Sequence, residues 1–417
     1  MFTGAALGLE PIPNPLADLN GDGQVVFADF LIQAANFGQP GDFEDGDIDG
    51  DGMVDFQDFL ALARQMGTAV VDAPSDWPLS GTPSDIKTIH FDTNIPSGIT
   101  IDWDVDELHF HKKITGSQQF NSTKGYEPNN GLINLKNDQT GMLVCGLDVE
   151  NTYTYQGSNV QTQSSCALNL VNCTGVVIDG ATIKSRGKST FILQANSTAT
   201  MNDSTVEGYY FVINAGASDV TVNNSTLTSD APFGDNHSLL WTNVTYSITE
   251  GGPAARPNMK MTLNSCQLDL NNGKPVVSGS TSDLQQSADI HLNNATITFP
   301  DEIEDSNFGL VGYSPNWGSM TLTYSGGTVF TRNGYQSISS QLVPFVTSTV
   351  AQPHSNVPNK GLGKFVNYQN LNQDGEISEP YGGPASRGGL LPASNLVSDG
   401  LDATAFNPND ENDPIFQ

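Results

Sequence analysis

Basic residues are scarce in this chain. Its 417 residues include 16 lysines and arginines against 46 aspartates and glutamates, which gives a formal net charge of −30. Binding to nucleic-acid phosphates or to anionic lipid headgroups needs a basic surface, which this composition does not supply. We therefore expect no nucleic-acid partner and no attraction to an anionic membrane. Clustered acidic side chains are instead suited to Ca²⁺, a hard cation that prefers oxygen ligands.

Cysteines and long apolar stretches are also rare. The four cysteines, at positions 145, 166, 173 and 266, show no C-x-x-C spacing. This argues against a zinc site or a redox pair and favours buried thiols, although a disulfide stays open. No apolar run is long enough to cross a membrane, so we expect no membrane insertion. The opening MFTGAALGLEPIPNP has no basic segment followed by an apolar one, so we do not expect it to be an intact signal peptide.

Turn-forming residues, by contrast, are plentiful. The chain has 42 glycines and long stretches rich in Asn, Ser and Thr, with an apolar fraction of only 37%. Such a composition favours a mainly β protein with many corners over a compact α/β enzyme. The length suggests roughly two or three domains.

An internal repeat lies near the start. Residues 18–38 read DLNGDGQVVFADFLIQAANFG and residues 47–67 read DIDGDGMVDFQDFLALARQMG, an offset of 29 residues with no gap. Each copy begins with the D-x-[DN]-x-D-G pattern of a calcium loop. Apolar residues at helical spacing follow each loop, and each predicted helix stops at a glycine, Gly38 or Gly67.

The spacing of the oxygen-bearing residues predicts one ion in each loop. Alternate side chains turn towards a common centre, a glycine permits the sharp turn, a backbone carbonyl adds an oxygen, and an aspartate from the following helix closes the shell. For the first loop the predicted ligands are Asp18, Asn20, Asp22, Gln24 through its carbonyl, and Asp29.

The second loop carries more carboxylates and is therefore predicted to bind its ion more tightly. Without a cation these carboxylates would repel one another, so the ion also holds the module folded. The predicted ligands are Asp47, Asp49, Asp51, Met53 through its carbonyl, and Asp58, with Asp55 adding a water-mediated contact. Val25 and Val54 are expected to pair the two loops through apolar contact.

The duplicated loop and helix, closed by Asp rather than Glu, resembles a type I dockerin. The resemblance covers about 55 of the 417 residues. It implies a small EF-hand-like helical module that docks onto a cohesin domain of a scaffold or surface protein. Dockerins of cellulose-degrading complexes carry small hydroxyl residues before the closing Asp, whereas this chain has Phe27-Ala28 and Phe56-Gln57. That departure indicates a different or intramolecular docking surface.

A short phrase recurs over residues 86–350: apolar, any residue, apolar, a small polar stretch, then a further apolar residue. It occurs as MLVCGLDV, VVIDGATI, ATMNDSTV, VTVNNSTL, MTLNSCQL and IHLNNATI, with a looser copy MTLTYSGGTV. The second apolar residues are spaced by 34, 23, 21, 41, 29 and 30 residues. We interpret the 41-residue gap as containing one further repeat near residues 240–242.

Short strands separated by Asn, Gly and Ser corners are typical of a stacked repeat protein. The pattern resembles the right-handed parallel β-helix superfamily, a solenoid of three-sided coils. A β-sandwich with similar short strands remains the alternative. Asn-Ser/Thr sequons are interpreted first as polar stacks and corners of the coils, and only second as glycosylation sites.

The predicted layout has five parts. These are an N-terminal extension over 1–13, the dockerin-like calcium-binding module over 14–67, a linker over 68–85, a parallel β-helix over 86–354, and a C-terminal cap or assembly arm over 355–417. The tail contains NLNQDGEIS, half of a calcium loop, which predicts a weak third ion site at Asn370, Asn372 and Asp374.

No catalytic set is recognised in the sequence. The one basic cluster, Lys184, Arg186 and Lys188, is interpreted as an exposed turn, although Asp179 and Asp203 could accompany it in a lyase. No motif of the pectin-hydrolase type is present. The pair Asp235 and His237, and a metal at His109 and His111, are weak alternatives.

Two functions remain open. The first is a secreted or cell-surface calcium-binding structural protein that docks to copies of itself or to a cohesin-like surface partner, building a fibre or coat. The second is a polysaccharide lyase or glycoside hydrolase carried to a scaffold by its dockerin. The strong negative charge weakens the second, because it repels acidic polysaccharides unless calcium bridges them.

Overall fold

The structure is a computed structural model. It describes residues 8–79, 83–118, 131–136, 140–154, 166–187, 189–194, 196–209, 211–216, 218–229, 240–243, 258–270, 277–280, 287–298, 319–325, 328–332, 335–339 and 343–345. The predicted third ion site and the tail over 355–417 lie outside these residues, as do Lys188, Asp235 and His237.

The N-terminal repeat forms two loop-helix units. The elements are β1 (Gln24–Val25), α1 (Phe27–Asn36), a 3₁₀ helix (Phe43–Asp45), α2 (Phe56–Gln65) and β2 (Thr68–Val71), followed by 3₁₀ helices at Pro74–Asp76 and Pro83–Asp85. Gly38 and Gly67 have positive φ angles of 79° and 83°, so the helices stop at the predicted glycines. Within the described residues, α1 and α2 are the only α-helices, as expected for a mainly β protein.

Short strands make up the rest of the described chain. In chain order they are β3 (Thr88–Phe91), β4 (Ile99–Ile101), β5 (Glu107–Phe110), β6 (Ile114–Gly116), β7 (Gly131–Lys136), β8 (Leu143–Cys145), β9 (Asp148–Asn151), β10 (Cys166–Val171), β11 (Val176–Asp179), β12 (Thr182–Ser185), β13 (Ser189–Gln194), β14 (Thr198–Asn202), β15 (Thr205–Gly208), β16 (Phe211–Ala215), β17 (Asp219–Asn223), β18 (Thr226–Ser229), β19 (Leu240–Asn243), β20 (Asn258–Asn264), β21 (Gln267–Leu270), β22 (Val277–Ser280), β23 (Ser287–Asn293), β24 (Thr296–Thr298), β25 (Ser319–Ser325), β26 (Thr328–Arg332), β27 (Tyr335–Ser339) and β28 (Val343–Phe345).

Three stacked sheets collect these strands. The first sheet runs β1-β2-β3-β5-β8-β11-β14-β17-β20-β23-β25-β28, the second β6-β9-β12-β15-β18-β21-β24-β26-β27, and the third β4-β7-β10-β13-β16-β19-β22. From β5 to β22 successive strands visit the first, second and third sheets in a fixed rotation, and neighbours pair in parallel. This arrangement is compatible with a β-helix-like fold. It differs from a β-sandwich, whose sheets are antiparallel.

Rows of buried side chains hold the sheets together. The predicted second apolar residues of the phrase are register partners in the first sheet: Val144, Ile178, Met201, Val222, Leu263 and Leu292. The last apolar residues form the matching row in the second sheet: Val149, Ile183, Val206, Leu227, Leu268 and Ile297. Both rows are buried. The recurring phrase therefore marks two adjoining faces of one apolar core.

A left-handed residue turns the chain from the first sheet to the second in each repeat. The φ angle is positive at Gly146, Gly180, Asp203, Asn224, Ser265 and Asn294. Gly, Asn and Asp tolerate this conformation best, which explains the D-G and N-N corners. The residue before four of these corners joins an asparagine ladder. In it Asn223 Nδ2 donates to Asn202 Oδ1 at 2.9 Å, Asn264 Nδ2 donates to Asn223 Oδ1 at 2.8 Å, and Asn293 Nδ2 donates to Asn264 Oδ1 at 3.3 Å. The interpretation of these asparagines as stacks and corners is confirmed.

The further repeat expected near residues 240–242 does not exist as a separate layer. β19 lies in the third sheet, where it pairs with β16 and β22. In the first sheet β17 and β20 are direct neighbours, with Asp219 opposite Lys260. The 41 residues therefore form one repeat with long connections, which stacked strands tolerate because loop closure becomes only slowly more costly with length.

The register of the last repeat also differs from the prediction. Leu292 lies opposite Tyr324 rather than Leu322, and Ile297 lies opposite Phe330 rather than Val329. The looser copy MTLTYSGGTV carries two extra residues, whose place the sequence did not predict. The structure shifts the register within β25, so the spacing in the first sheet is two residues longer than predicted.

The segment predicted as a linker begins with a strand. β2 pairs antiparallel with β1 of the first calcium loop and parallel with β3. Trp77 then packs edge-on against Phe91, with ring centroids 5.4 Å apart, and stacks on Trp103 at 6.2 Å. The first sheet is therefore continuous from the calcium-loop module into the stacked strands.

Two remaining expectations concern cysteines and membranes. Cys145, Cys166, Cys173 and Cys266 are all buried without a disulfide, as the sequence predicted. Among the described residues, no helix has the length and apolar character needed to span a bilayer.

Candidate calcium sites and neighbouring clusters

Asp18 organises the first loop. Its Oδ1 accepts hydrogen bonds from the backbone N–H groups of Gly21 at 2.8 Å and Asp22 at 3.1 Å, and its Oδ2 accepts one from Gly23 at 2.6 Å. Asn20 Oδ1 accepts from the N–H of Asp22 at 2.9 Å. These bonds fold the backbone around the side-chain oxygens, which therefore face one region.

Asp29 closes the first loop from the first turn of α1. It is fully buried, its Oδ1 accepts from the N–H of Leu19 at 2.9 Å, and its Oδ2 accepts from the N–H of Val26 at 2.8 Å. Asp22 Oδ1 accepts from the N–H of Gln24 at 3.0 Å, which fixes the backbone of the predicted carbonyl ligand.

The second loop repeats these contacts 29 residues later. Asp47 accepts from the N–H groups of Gly50, Asp51 and Gly52, at 2.9, 3.1 and 2.8 Å. Asp49 Oδ1 accepts from the N–H of Asp51 at 3.2 Å. The two loops thus share one hydrogen-bonding plan, position by position.

Asp58 holds the place of Asp29 in the second loop. It is fully buried and accepts from the N–H groups of Ile48 at 2.7 Å, Asp49 at 3.0 Å and Asp55 at 2.8 Å. Asp51 Oδ1 accepts from the N–H of Met53 at 2.9 Å.

Asp55 has a second role that the sequence did not reveal. Its Oδ1 accepts from the N–H of Gln57 at 2.7 Å and so caps the N-terminus of α2. The equivalent residue in the first loop is Val26, whose side chain makes no such bond. The sequence could have indicated this cap, because aspartate is a preferred residue directly before the first turn of a helix.

Each loop is also bonded to the end of the other repeat. The N–H of Gly38, after α1, donates to the carbonyl of Val54 at 2.8 Å, and the N–H of Gly67, after α2, donates to the carbonyl of Val25 at 2.8 Å. Both valines are fully buried. The link between the loops therefore includes an exchange of backbone hydrogen bonds, which the sequence did not predict, whereas the apolar contact of Val25 with Val54 stays a prediction.

The donor set fits a hard cation. All side-chain donors are oxygens, and single carboxylate oxygens of Asp47, Asp49 and Asp58 lie within 4.8 Å of one another. Ca²⁺ takes six to eight oxygen ligands at roughly 2.3–2.6 Å, so a set this close needs little movement to bind it.

The electrostatics of the loops point the same way. Burial raises the pKa of Asp18, and the nearby charges of Asp22 and Asp29 raise it further against the loop's N–H bonds. The pKa of Asp49 is also raised, through loss of hydration and the charges of Asp58, Asp51 and Asp47. Asp49 is exposed, and the charges of the neighbouring carboxylates contribute to its raised pKa. A bound cation would offset these charges and lower the pKa of Asp49 again.

An aromatic ridge lies on the surface beside the loops. It consists of Phe27, Phe30, Phe59 and Phe56, with consecutive ring centroids 5.5, 6.3 and 5.8 Å apart. Phe27 is 63% exposed and Phe56 is 59% exposed. Six of the seven large apolar side chains exposed among the described residues belong to the calcium-loop module, so exposure is concentrated there: Phe27, Leu31, Phe37, Met53, Phe56 and Met66.

Two residues of the predicted basic cluster, Lys184 and Arg186, line a small groove on the second sheet, whereas Lys188 lies outside the described residues. Lys184 Nζ lies 2.9 Å from Glu207 Oε2, and Arg186 is exposed at the next corner. The groove encloses about 180 Å³ and is lined by Glu150, Asn151, Lys184, Ser185, Arg186, Glu207, Gly208 and Tyr209. The carboxylates beside the basic residues are therefore Glu150 and Glu207. Asp179 and Asp203, suggested by the sequence, belong to the corner between the first and second sheets.

Glu150 is held as an anion. A hydrogen bond from Lys113 lowers its pKa, and the charges of Lys113, Lys184 and Arg186 lower it further. A general acid needs a raised pKa instead, so Glu150 is suited to binding or to the role of a base. Glu150 and Glu207 escaped the sequence analysis because they lie on neighbouring strands, one repeat to either side of Lys184, and Tyr209 because it follows the second of these strands.

Histidines gather on the first sheet. His109 and His111, noted as a weak metal pair, are joined by His90, whose ring lies 4.9 Å from that of His109 and 5.3 Å from that of His111. Glu10 and Glu107 lie beside His109 and were not identified from the sequence. The sequence could have indicated Glu107, because residues two apart on one strand point to the same face of a sheet, as Glu107 and His109 do.

Comparisons with known proteins add no identification. No protein-family model, curated protein or solved structure gives a significant match to this chain.

Proposed function

We propose that this protein is a secreted calcium-binding structural protein, in which a β-helix-like body is joined to its neighbours through the N-terminal loop-helix module. The observation that supports this most directly is the combination, on the same small module, of two loops organised by equivalent aspartate hydrogen bonds with an exposed aromatic ridge. A protein that used the module only for its own stability would have no need to expose six large apolar side chains there.

Calcium is the ion of this proposal. The predicted ligands would hold one ion in each loop, Asp18, Asn20, Asp22, Gln24 and Asp29 in the first and Asp47, Asp49, Asp51, Met53 and Asp58 in the second. The ion would neutralise carboxylates that now face one another and would fix the two helices that carry the ridge. Calcium-dependent modules of this kind suit the cell exterior, where the ion is abundant, and we place the protein there.

The module is proposed to be dockerin-like, and the body to be a right-handed parallel β-helix. The 29-residue duplication, the closing aspartates and the shared hydrogen-bonding plan support the first assignment. The fixed rotation of strands among three parallel sheets supports the second, and the right-handedness of nearly all parallel crossovers sets the proposed hand.

The occupant of the aromatic ridge is proposed to be a second copy of this chain. Phe27 and Phe56 occupy equivalent positions of the two repeats, as do Phe30 and Phe59, so the ridge has an internal two-fold correspondence. A surface of this kind suits an isologous contact with itself. The net charge of −30 opposes such a contact, and bound calcium together with salt reduces that repulsion.

Sedimentation of the full chain tests this proposal. In millimolar Ca²⁺ we expect dimers or longer assemblies, which become more abundant with added salt and dissociate with a chelator. The double variant Phe27→Ser/Phe56→Ser should remain monomeric. The matched control Leu9→Ser removes the one exposed large apolar side chain outside the module and should assemble normally.

Two outcomes would overturn the assembly function. Monomers of the parent protein in both calcium and chelator would exclude a second copy as the occupant and leave a cohesin-like surface partner. Assembly that persists in the double variant would place the contact elsewhere.

The groove on the second sheet favours a second candidate, a polysaccharide lyase or glycoside hydrolase. Glu150 and Glu207 flank Lys184 on neighbouring strands, which places their backbones roughly 10 Å apart. Inverting glycosidases hold two carboxyl groups roughly 6.5–9.5 Å apart, and side chains two strands apart on one face of a sheet can span such a distance. Arg186 and Tyr209 could hold an acidic sugar. Incubation with pectate or alginate in Ca²⁺ tests this candidate: cleavage that is lost in Glu207→Gln would support it, and the absence of cleavage would reject it.

A further inference from the structure

Three of the chain's six histidines lie on, or directly after, two adjacent strands of the first sheet. His90 of β3 is the register partner of His109 of β5, and His111 follows β5 directly. In both strands the preceding residue, Ile89 or Leu108, belongs to the apolar core. The alternation of a strand therefore directs His90 and His109 to the opposite, outer face of the sheet.

These outer-face histidines are nevertheless buried. His90 and His109 are 2% and 1% exposed. Part of the cover over His109 comes from the N-terminal segment, because the backbone N–H of Glu10 approaches His109 Nδ1 at 3.3 Å. The side chain of Leu9 packs beside Gly146, the corner residue after the next strand. A Cβ built on Gly146 would lie only 3.1 Å from Leu9 Cδ1.

Two carboxylates meet His109 at this point. Glu107 Oε2 lies 3.0 Å from His109 Nε2. Single carboxylate oxygens of Glu10 and Glu107 and one ring nitrogen of His109 all lie within 4.8 Å of one another. Among the described residues, the second calcium loop is the one other group of His, Cys, Asp or Glu side chains that is this close.

We propose that Glu10, Glu107 and His109 form a binding site for a divalent transition-metal ion of the Zn²⁺ type, separate from the calcium loops. The mixed nitrogen and oxygen donors distinguish it from them, because imidazole suits Zn²⁺ whereas Ca²⁺ takes oxygen ligands. Zinc binds nitrogen and oxygen at roughly 2.0–2.2 Å, which places tetrahedral ligands roughly 3.3 Å apart. Three protein ligands leave a fourth position for water or for a small ligand.

Metal binding at Nε2 requires the ring proton of His109 to change nitrogen. With the N–H of Glu10 directed at His109 Nδ1, the ring proton belongs on Nε2, where it is donated to Glu107. A metal on Nε2 takes the place of this proton, which moves to Nδ1, so the 3.3 Å contact of the Glu10 N–H with Nδ1 must relax. That contact is at the long end of the hydrogen-bond range and costs little to lose. Binding therefore exchanges a backbone contact of residue 10 for a bond to its carboxylate.

Calorimetry on the untagged full chain tests the site. Saturating Ca²⁺ first fills the calcium loops, and Zn²⁺ is then titrated. We expect one equivalent of Zn²⁺ to bind, and Co²⁺ at the same site to give the visible absorption of a tetrahedral complex. Glu10→Gln and Glu107→Gln should each lower the Zn²⁺ affinity by on the order of tenfold or more. Both carboxylates are at least partly exposed, so neither change threatens the fold.

Three further variants separate this site from other zinc ligands. His109→Asn should abolish binding. His291→Gln removes a histidine from the same sheet, opposite Thr262, and should leave Zn²⁺ binding unchanged. The double variant Asp18→Asn/Asp47→Asn should lose calcium but keep zinc.

Several results would overturn the proposal. One is the absence of Zn²⁺ binding in the presence of Ca²⁺. Another is parent-like binding in both glutamate variants. A third is loss of binding in His111→Asn with the glutamate variants unaffected, which would place the ion at the His90–His111 pair, whose ring nitrogens are 3.0 Å apart.

Discussion

The loop-helix module, over residues 14–67, and the body of stacked parallel strands are stabilised by different interactions. In the module, buried aspartates accept backbone N–H bonds and face other carboxylates, while large apolar side chains stay outside. In the body, rows of aliphatic side chains fill the space between three sheets, and asparagines occupy the corners. From this comparison we expect the stability of the first region to depend on dissolved cations, and that of the second to depend on the volume of its buried side chains.

The largest effect is expected from a cavity in the body. Phe191 of β13 is fully buried and lies opposite Leu168 and Ile213 in the third sheet. Phe191→Ala should lower the free energy of unfolding by about 3–5 kcal/mol. Denaturant unfolding should give the same loss with and without calcium. Val177→Ala, on a half-exposed position, is the control and should cost much less. A calcium-dependent loss for Phe191→Ala would contradict the division between the regions.

The next effect concerns the closing aspartate of the second loop. Asp58→Ala removes a predicted ligand and leaves the N–H groups of Ile48, Asp49 and Asp55 without their acceptor. We expect the calcium affinity of that loop to fall about 100-fold or more, roughly 3 kcal/mol, in isothermal titration. Glu44→Ala removes the same charge from an exposed position of the module and should change the affinity little. Equal losses in the two variants would show that net charge, not ligation, sets the affinity.

A smaller effect should distinguish the two loops from each other. Asp55→Ala removes the cap of α2 and should destabilise the module by about 1 kcal/mol, measured by the helical circular-dichroism signal during heating. The equivalent Val26→Ala has no cap to remove and should cost less. Val26→Asp should bring the first loop closer to the second in both stability and calcium affinity. If Val26→Asp weakens calcium binding instead, carboxylate repulsion outweighs the added ligand.

The smallest effect is a pH dependence of opposite sign in the two regions. The pKa values of Asp18 and Asp49 are raised above 3.8, so in chelator their contribution favours the folded module at low pH and is lost as the pH rises through the raised values. The pKa of Glu150 is lowered below 4.5, so its contribution is present above pH 4.5 and is lost as the pH falls through the lowered value.

Melting curves at several pH values in chelator measure this difference. Asp49→Asn should flatten the pH profile of the helical signal, and Lys113→Gln should flatten that of the body. The ion pair of Lys113 and Glu150 is partly exposed, so we expect its loss to cost less than about 1 kcal/mol. Profiles of the same sign in both regions would contradict the comparison.

Much of the body was predictable because its repeats obey local rules. The phrase around Val144 and Val149 specifies one inward residue on each side of a left-handed corner, and the corner itself shows in the sequence as D-G or N-N. The long connection before β20 and the register of β25 were mispredicted. Spacing alone does not show whether extra residues enter a loop, a strand or a new layer.

The candidate sites divide in the same way. The loop ligands from Asp18 to Asp58 follow one another at fixed short spacing, so the sequence displays them. The cluster of Glu10, Glu107 and His109 joins residues almost one hundred positions apart, and the groove between Glu150 and Glu207 spans three repeats. Such sets depend on strand register and on where the N-terminal segment lies, neither of which a local pattern records.

The antiparallel strand β1 covers one edge of the first sheet. Its partner β2 is the outermost of the parallel strands in the first sheet, and β1 belongs to the first calcium loop. An uncovered parallel edge is a template on which other chains can add strands. If the first loop binds calcium as we propose, withdrawal of calcium would loosen β1 and expose the edge of β2, on which other chains could then add strands.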